Sequence, residues 1–205
     1  MKTLRFGLAL FAAAAICLPS QLDAQTLIGA KAGINLANVS VSLGSLSASA
    51  DSRTGFVGGA FAQFGLGSPL FLQPEVLYSS KGSEASDEIE DFTLSLDYLE
   101  VPILVGAAFP IENSAVKPMI FAGPSVGFLL SCDSDGSDCK DEAKSVDFGL
   151  VFGGGIQFAL ENLNLILDGR YNLGLTNIDD TGEADISLKN RAWQFMAGVG
   201  FPVGG

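Results

Sequence analysis

The amino-acid sequence predicts an all-β protein, an eight-stranded antiparallel up-and-down β-barrel that spans a membrane. Two observations predict this fold. Stretches of strand length, in which apolar residues alternate with small or polar ones, recur eight times along the chain, and the connections between them alternate between long and short. In lipid, only helices and closed barrels satisfy every backbone polar group, and the region after the N-terminal segment lacks the roughly 18 uninterrupted apolar residues that a membrane helix needs.

The N-terminal segment has the pattern of a secretory signal peptide. Lys2 and Arg5 form a positive region, residues 6–18 form an apolar region, and Leu22-Asp23-Ala24 resembles a cleavage site. We therefore expect a cleaved signal at residues 1–24 and a single barrel domain at residues 25–205.

Each predicted strand carries apolar side chains on one face and polar or small ones on the other, with the period of two that a strand requires. In order, the predicted strands are residues 26–38, 53–66, 70–81, 92–107, 116–131, 146–160 and 163–177, and a last strand after Asn190. The first long connection is a Ser-rich stretch that ends at Ser52. Long outer loops and short periplasmic turns are typical of outer-membrane barrels, and an even strand number leaves both termini on the periplasmic side.

The charged residues on the polar faces indicate which face meets lipid. Four are positive and four are negative, namely Lys31, Glu75, Lys81, Glu100, Lys117, Asp147, Asp168 and Arg170. A sealed interior needs such balance because a buried unpaired charge is costly. We therefore predict a structural charge network in the lumen, formed by Lys31, Glu75, Glu100, Lys117, Asp168 and Arg170. The alternative is a soluble, lipocalin-like periplasmic ligand-binding barrel, which would hide Phe148, Phe152 and Phe158 inside.

The composition argues against several classes of function. Without the signal, nine basic and 22 acidic residues remain, a formal charge of −13 that disfavours binding to nucleic acid. The chain contains no histidine, the usual general base. An acid–base cluster of Glu75, Glu100, Asp168 and Arg170 is the catalytic alternative, but the pattern favours ion pairs that fix the strand register. We therefore predict no enzymatic activity and no catalytic residues.

One loop carries the two cysteines of the predicted mature chain. Cys132 and Cys139 are expected to form a disulfide in an oxidising compartment. Between them, Asp133, Asp135 and Asp138 surround a glycine, as in some calcium loops. Compared with the EF-hand pattern, the glycine is fourth instead of sixth, and Lys144 occupies the twelfth position, where the EF-hand has Glu. A solvated acidic loop is therefore favoured over a Ca²⁺ site. No other cofactor is predicted.

Five motifs resemble those of the porin-like outer membrane β-barrel domain family, small barrels of Gram-negative envelopes. They are residues 29–35, GAKAGIN; 72–79, LQPEVLYS; 97–102, DYLEVP; 117–118, KP, together with 122–125, AGPS; and 170–175, RYNLGL. The resemblance implies the outer membrane as the location, with external loops, and implies contact with membrane lipid and lipopolysaccharide. The residues Val199-Gly200-Phe201 resemble the terminal aromatic signal that barrel assembly machinery recognises.

These observations predict a non-enzymatic envelope protein with a structural role or a surface-interaction role through acidic external loops. A narrow passive pore for water, ions or small solutes, lined by Lys31, Glu75, Glu100 and Arg170, is the alternative within the same fold. The small interior of eight strands argues against it. The sequence does not indicate whether the protein is a monomer or an oligomer.

Overall fold

The structure is a computed structural model that describes residues 26–43, 46–49, 51–86, 91–140, 143–177 and 186–203. The predicted signal peptide lies outside these ranges. The strands are β1 (Thr26–Leu43), β2 (Leu46–Ser49), β3 (Asp51–Gly65), β4 (Leu70–Ser86), β5 (Asp91–Ala108), β6 (Val116–Ser134), β7 (Ser137–Asp138), β8 (Val146–Ala159), β9 (Asn164–Gly174) and β10 (Ile186–Val203).

Eight long strands form one closed antiparallel barrel, which confirms the predicted fold. Around the wall the order is β1-β3-β4-β5-β6-β8-β9-β10, and β10 closes the ring by pairing with β1 from Thr26↔Val203 to Leu43↔Ile186. The short strands β2 and β7 pair antiparallel with the ends of β1 and β6 at one end of the barrel.

Among the described residues, no helix is long and apolar enough to cross a membrane.

Two connections at one end of the barrel are longer than any at the other end. The short-turn end contains residues 66–69, 109–115 and 160–163, together with the paired Thr26 and Val203. The other end, here called the long-loop end, contains the segments from β1 to β3, β4 to β5, β6 to β8 and β9 to β10, of which residues 135–145 and 175–185 have eleven residues each and residues 87–90 only four. The alternation that the sequence predicts is therefore kept only in part, because β1 and β4 extend into the predicted Ser-rich and acidic connections.

Several strands extend further towards the long-loop end than the sequence predicts. The Ser-rich stretch after residue 38 is not a loop as predicted, because β1 continues to Leu43 and pairs with β10 throughout. Serine alternates there with Val39, Val41 and Leu43, so the period of two is kept. β4 likewise continues to Ser86 through part of the predicted acidic loop, whereas β9 ends at Gly174, before the predicted Asn177.

The wall of the barrel is apolar outside and charged inside. Ile120, Phe148 and Phe152 are 60%, 55% and 43% exposed, whereas Glu75 and Arg170 are 1% and 0% exposed. A soluble barrel would have the opposite arrangement, since exposed apolar area is costly in water and buried charge is costly in protein. The soluble lipocalin-like alternative, which requires Phe148 and Phe152 inside, is therefore wrong.

Glycines let the wall curve tightly where a strand comes close to its neighbour. A Cβ atom at Gly33 would overlap the carbonyl oxygen of Phe195, and one at Gly123 would overlap that of Ile103. Both glycines lie on inward-facing positions of long strands. A small barrel with a crowded interior therefore requires glycine at these positions.

Candidate functional site: the barrel interior

The interior is built in layers along the barrel axis, because side chains at alternate positions of all eight strands point inwards. Near the short-turn end lies an apolar layer, here called the short-turn cluster, of Leu27, Phe61, Phe71, Leu104, Met119, Phe121, Val151 and Ile166. Near the long-loop end lies the long-loop cluster of Leu96, Tyr98, Leu129 and Cys132. Between the two clusters are two groups of charged side chains.

The first group, here called the central network, joins two cations and two carboxylates in alternation. Lys31 Nζ lies 3.0 Å from Glu75 Oε1 and 2.9 Å from Asp168 Oδ2. Arg170 contacts Glu75 twice, through Nη1 at 2.7 Å and Nη2 at 3.2 Å. Arg170 also donates to both oxygens of Asp168, at 3.1 and 3.0 Å. Four formal charges thus cancel within one layer, which makes their burial tolerable.

Polar and aromatic neighbours complete the central network. Gln73 Nε2 donates to Glu75 Oε1 at 2.6 Å. On the side of the short-turn cluster, Lys31 Nζ lies 4.9 Å from the centre of the Phe61 ring, and the Arg170 guanidinium carbon lies 5.1 Å from that of Phe121. Each cation therefore has carboxylates as ion-pair partners and a ring face against its apolar side.

The second charged group lies closer to the long-loop end. Lys81 forms an ion pair with Glu100, and its Nζ lies 5.4 Å from the centre of the Tyr98 ring. Asn172 and Gln194 donate to the two oxygens of Glu100 at 3.1 and 3.3 Å. Glu100 is thereby hydrogen-bonded from three sides inside the wall.

A buried carboxylate and a buried amide accompany this second group. Asp147 accepts a hydrogen bond from Asn190 Nδ2 at 3.0 Å, and both side chains are buried. Asn190 Nδ2 also lies 3.3 Å from the Tyr98 hydroxyl. The polar layer thus continues up to the long-loop cluster.

The structure separates the six residues of the predicted lumen network. Lys31, Glu75, Asp168 and Arg170 meet in the central network, whereas Glu100 pairs with Lys81 one layer away. Lys117 lies apart from both groups. It is partly exposed at the short-turn end and has no ion pair within the described part of the chain.

The predicted lumen network did not include the amides that support the carboxylates. Gln73, Asn172 and Gln194 have the same alternation as the charged residues, so their inward direction was open to prediction from the sequence. Whether each amide donates to Glu75 or to Glu100 could not be predicted, because it depends on the stagger of strands across the barrel.

The cysteine loop is held by a disulfide and by side-chain-to-backbone hydrogen bonds. Cys132 is joined to Cys139, with Cα atoms 5.1 Å apart. Asp133 accepts from the Gly136 amide at 3.0 Å, and Asp138 accepts from the Lys140 amide at 2.9 Å. No group of three or more Asp, Glu, Cys or His side chains with the arrangement of a metal site occurs in the described ranges.

Comparison with known structures supports the fold. The barrel is similar to the crystal structure of neisserial surface protein A, with a TM-score of 0.55 and 21% identity, covering 87% of this chain and 97% of that chain. It is also similar to outer membrane protein OprG from Pseudomonas aeruginosa, with a TM-score of 0.55 and 13% identity, covering 89% of this chain and 97% of that chain. At these identities the likeness concerns the fold alone.

Sequence comparison identifies the family. Among curated proteins the chain has no match. A family model described as the outer membrane protein beta-barrel domain matches residues 20–180, from the end of the predicted signal into the segment after β9. The closed wall, the apolar outer face and the charged interior agree with this match. The chain therefore belongs to the outer membrane β-barrel domain family and is an outer-membrane protein.

Proposed function

We propose that this protein is a non-conducting, non-enzymatic barrel that acts as a structural or surface-interaction component of the envelope. The observation that carries the proposal is the filled interior. The central network is buried between the short-turn cluster and the long-loop cluster, so a solute on the axis would have to pass two apolar layers and a set of paired charges.

The pairing of the charges supports a closed barrel over a pore. The side chains of Lys31, Glu75, Asp168 and Arg170 are fully buried, and each contacts a partner of opposite charge. An ion that entered this layer would have to break contacts between groups that have no water to replace them. A narrow pore lined by these residues would instead leave them solvated.

The same contacts support the absence of enzymatic activity. The buried acids and bases are committed to one another, and the chain has no histidine to move protons near neutral pH. The interior thus resembles a structural core more than a reaction site.

We place the long-loop end outside the cell, and the short turns and both termini in the periplasm. The support is the length of two connections at the long-loop end, residues 135–145 and 175–185, which have eleven residues each against at most seven in a turn at the other end, since bacterial barrels have short periplasmic turns. The pairing of Thr26 with Val203 brings the two ends of the barrel chain together at the short-turn end.

The charge of the connections at the long-loop end supports a role at the cell surface. Residues 87–90, 135–145 and 175–185 contain eleven acidic and two basic residues, whereas the three short turns contain two acidic residues, Glu112 and Glu161. In this proposal, the acidic loops attract divalent cations that bridge to lipopolysaccharide phosphates, or attract basic partners.

Planar-bilayer recording tests the proposal of a closed barrel. Refolded protein, verified by a heat-dependent shift in gel mobility, is inserted into a planar bilayer in concentrated KCl. We expect no discrete conductance steps, while gramicidin added to the same bilayer shows that channels are detectable. Reproducible steps that depend on the folded protein would overturn the proposal and favour the passive pore.

A further inference from the structure

A cavity of about 390 Å³ opens at the short-turn end of the barrel. Its lining comes from the first two short turns and from the adjoining ends of the strands, and includes Pro69, Pro110, Lys117 and Gln157. The volume lies within the range of roughly 300–1,000 Å³ that is typical of small-molecule sites. This cavity is separate from the charged layers described above.

The cavity is blind and its floor is apolar. Leu27 and Phe71 line it and also belong to the short-turn cluster, where they are 4% exposed each. The central network lies on the far side of that cluster. A ligand that entered from the short-turn end would therefore contact hydrocarbon at the bottom of the cavity and would go no further.

The polar part of the lining presents donors that lack acceptors. Lys117 has no ion pair within the described residues, and no Asp or Glu is among the described residues that line the cavity. Gln63 is 6% exposed, and its amide nitrogen has no hydrogen-bond partner in the described part of the chain. Gln157, by contrast, already donates to Asn164 at 2.9 Å.

This combination selects a class of ligand. A cationic ammonium and an unused amide donor suit an anionic oxygen acceptor, and a buried donor without a partner is costly until such an acceptor arrives. The apolar floor suits a short hydrocarbon group attached to that anion. We propose that the cavity binds a small amphiphilic carboxylate, with its head group on Lys117 and Gln63 and its hydrocarbon part against Leu27 and Phe71.

Calorimetric titration with matched probes tests this site. Full-length mature protein in lipid nanodiscs is titrated with hexanoate, with its neutral counterpart hexanol and with inorganic phosphate, and empty nanodiscs are subtracted. We expect saturable one-to-one binding of hexanoate that is about tenfold or more tighter than that of either other probe, because only hexanoate satisfies both halves of the cavity.

Two variants and a control locate the site on the chain. Lys117→Met removes the cation, and Gln63→Leu removes the amide donor while it keeps an apolar side chain. Lys144→Met is the matched control, since Lys144 is also partly exposed but lies in a connection at the opposite end. We expect Lys117→Met and Gln63→Leu each to weaken hexanoate binding about tenfold and Lys144→Met to leave it unchanged.

Several results of these titrations would overturn the proposal. Equal affinity for hexanoate and hexanol, or binding that empty nanodiscs reproduce, would show partition into lipid only and overturn the proposal. Phosphate binding as tight as that of hexanoate would show that the apolar floor does not contribute to affinity, and would overturn the proposed ligand class. Unchanged binding in folded Lys117→Met protein, with folding checked by heat-dependent gel mobility, would also overturn it.

Discussion

Arg170 and Glu75 form a two-contact ion pair across the full width of the barrel. The guanidinium Nη1 and Nη2 atoms lie 2.7 and 3.2 Å from the two carboxylate oxygens, and both side chains are fully buried. Arg170 lies on β9 and Glu75 on β4, which are four strands apart in a ring of eight. The pair therefore joins opposite walls and fixes their relative register.

The first prediction concerns this pair and its charge balance. Arg170→Met leaves Glu75 and Asp168 with Lys31 alone, so we expect the free energy of unfolding to fall by about 3–5 kcal/mol. Glu75→Gln leaves an excess cation and should also be strongly destabilising. In the double variant Arg170→Met/Glu75→Gln, one cation and one carboxylate remain, Lys31 and Asp168, which lie 2.9 Å apart in the wild type. Their charges balance, so the double variant should lose less stability than the sum of the two single losses.

Urea titration of protein refolded into vesicles measures these losses through the fluorescence of Trp193, the single tryptophan. Glu112→Gln, an exposed change in a short turn, is the control and should stay within about 0.5 kcal/mol of the wild type. Arg170→Glu should prevent folding altogether. Additive losses in the double variant, or a wild-type heat-dependent gel shift for Arg170→Glu, would argue against an interior held by charge balance.

The second prediction concerns the outer wall. Phe195 pairs with Gly169 beside the central network, whereas Phe201 pairs with Ile28 near the short-turn end, and both are about half exposed. An arginine on the lipid face costs about 2–4 kcal/mol at the bilayer midplane and about 0–1 kcal/mol near the interface. We therefore expect Phe195→Arg to lower the free energy of unfolding in vesicles much more than Phe201→Arg. Equal losses would show that the barrel sits at a different depth.

The third prediction tests the orientation that we propose. Ser52 and Glu112 are both exposed, at the long-loop end and in a short turn respectively. In separate strains carrying Ser52→Cys or Glu112→Cys, a membrane-impermeant maleimide should label only Ser52→Cys on intact cells. Lysis should make both positions reactive. Labelling of Glu112→Cys alone on intact cells would reverse the orientation.

The fourth prediction separates local from global stabilisation by the disulfide. Cys132 and Cys139 close a loop of only a few residues, and Cys132 also packs in the long-loop cluster. A short loop confers at most about 2–3 kcal/mol through the unfolded chain. The double variant Cys132→Ser/Cys139→Ser should therefore keep the heat-dependent gel shift. Its amide exchange should rise around residues 132–139 and stay unchanged near Arg170, and a barrel that fails to fold would refute this.

The strands and the faces of the barrel could be predicted from the sequence because the period of two is local. A single step along a strand changes the face, so the inward direction of Lys31 and Arg170 follows from their neighbours alone. The limits of β1 could not be predicted in the same way. Serine is common in loops, yet Ser40 and Ser42 alternate with apolar residues and pair with β10.

The partners of the charged side chains could not be predicted, because they depend on distances between strands far apart in sequence. Arg170 and Glu75 are 95 residues apart, and their contact follows from the closure and stagger of the whole barrel. Lys117 has the alternation of the network residues but lies at the beginning of β6. Its position along the axis therefore puts it at the short-turn end, away from the carboxylates.

The most direct test of a sealed interior is the exchange of the Lys31 ammonium hydrogens with water. In ¹⁵N-labelled refolded protein, an ammonium group that is fully buried and hydrogen-bonded to Glu75 and Asp168 should give a persistent ¹H–¹⁵N signal near neutral pH. The signal should disappear in Lys31→Met, and the exposed Lys140 ammonium should exchange too fast to be seen. Exchange of Lys31 as fast as that of Lys140 would mean that water reaches the central network, and would contradict the account of a closed barrel.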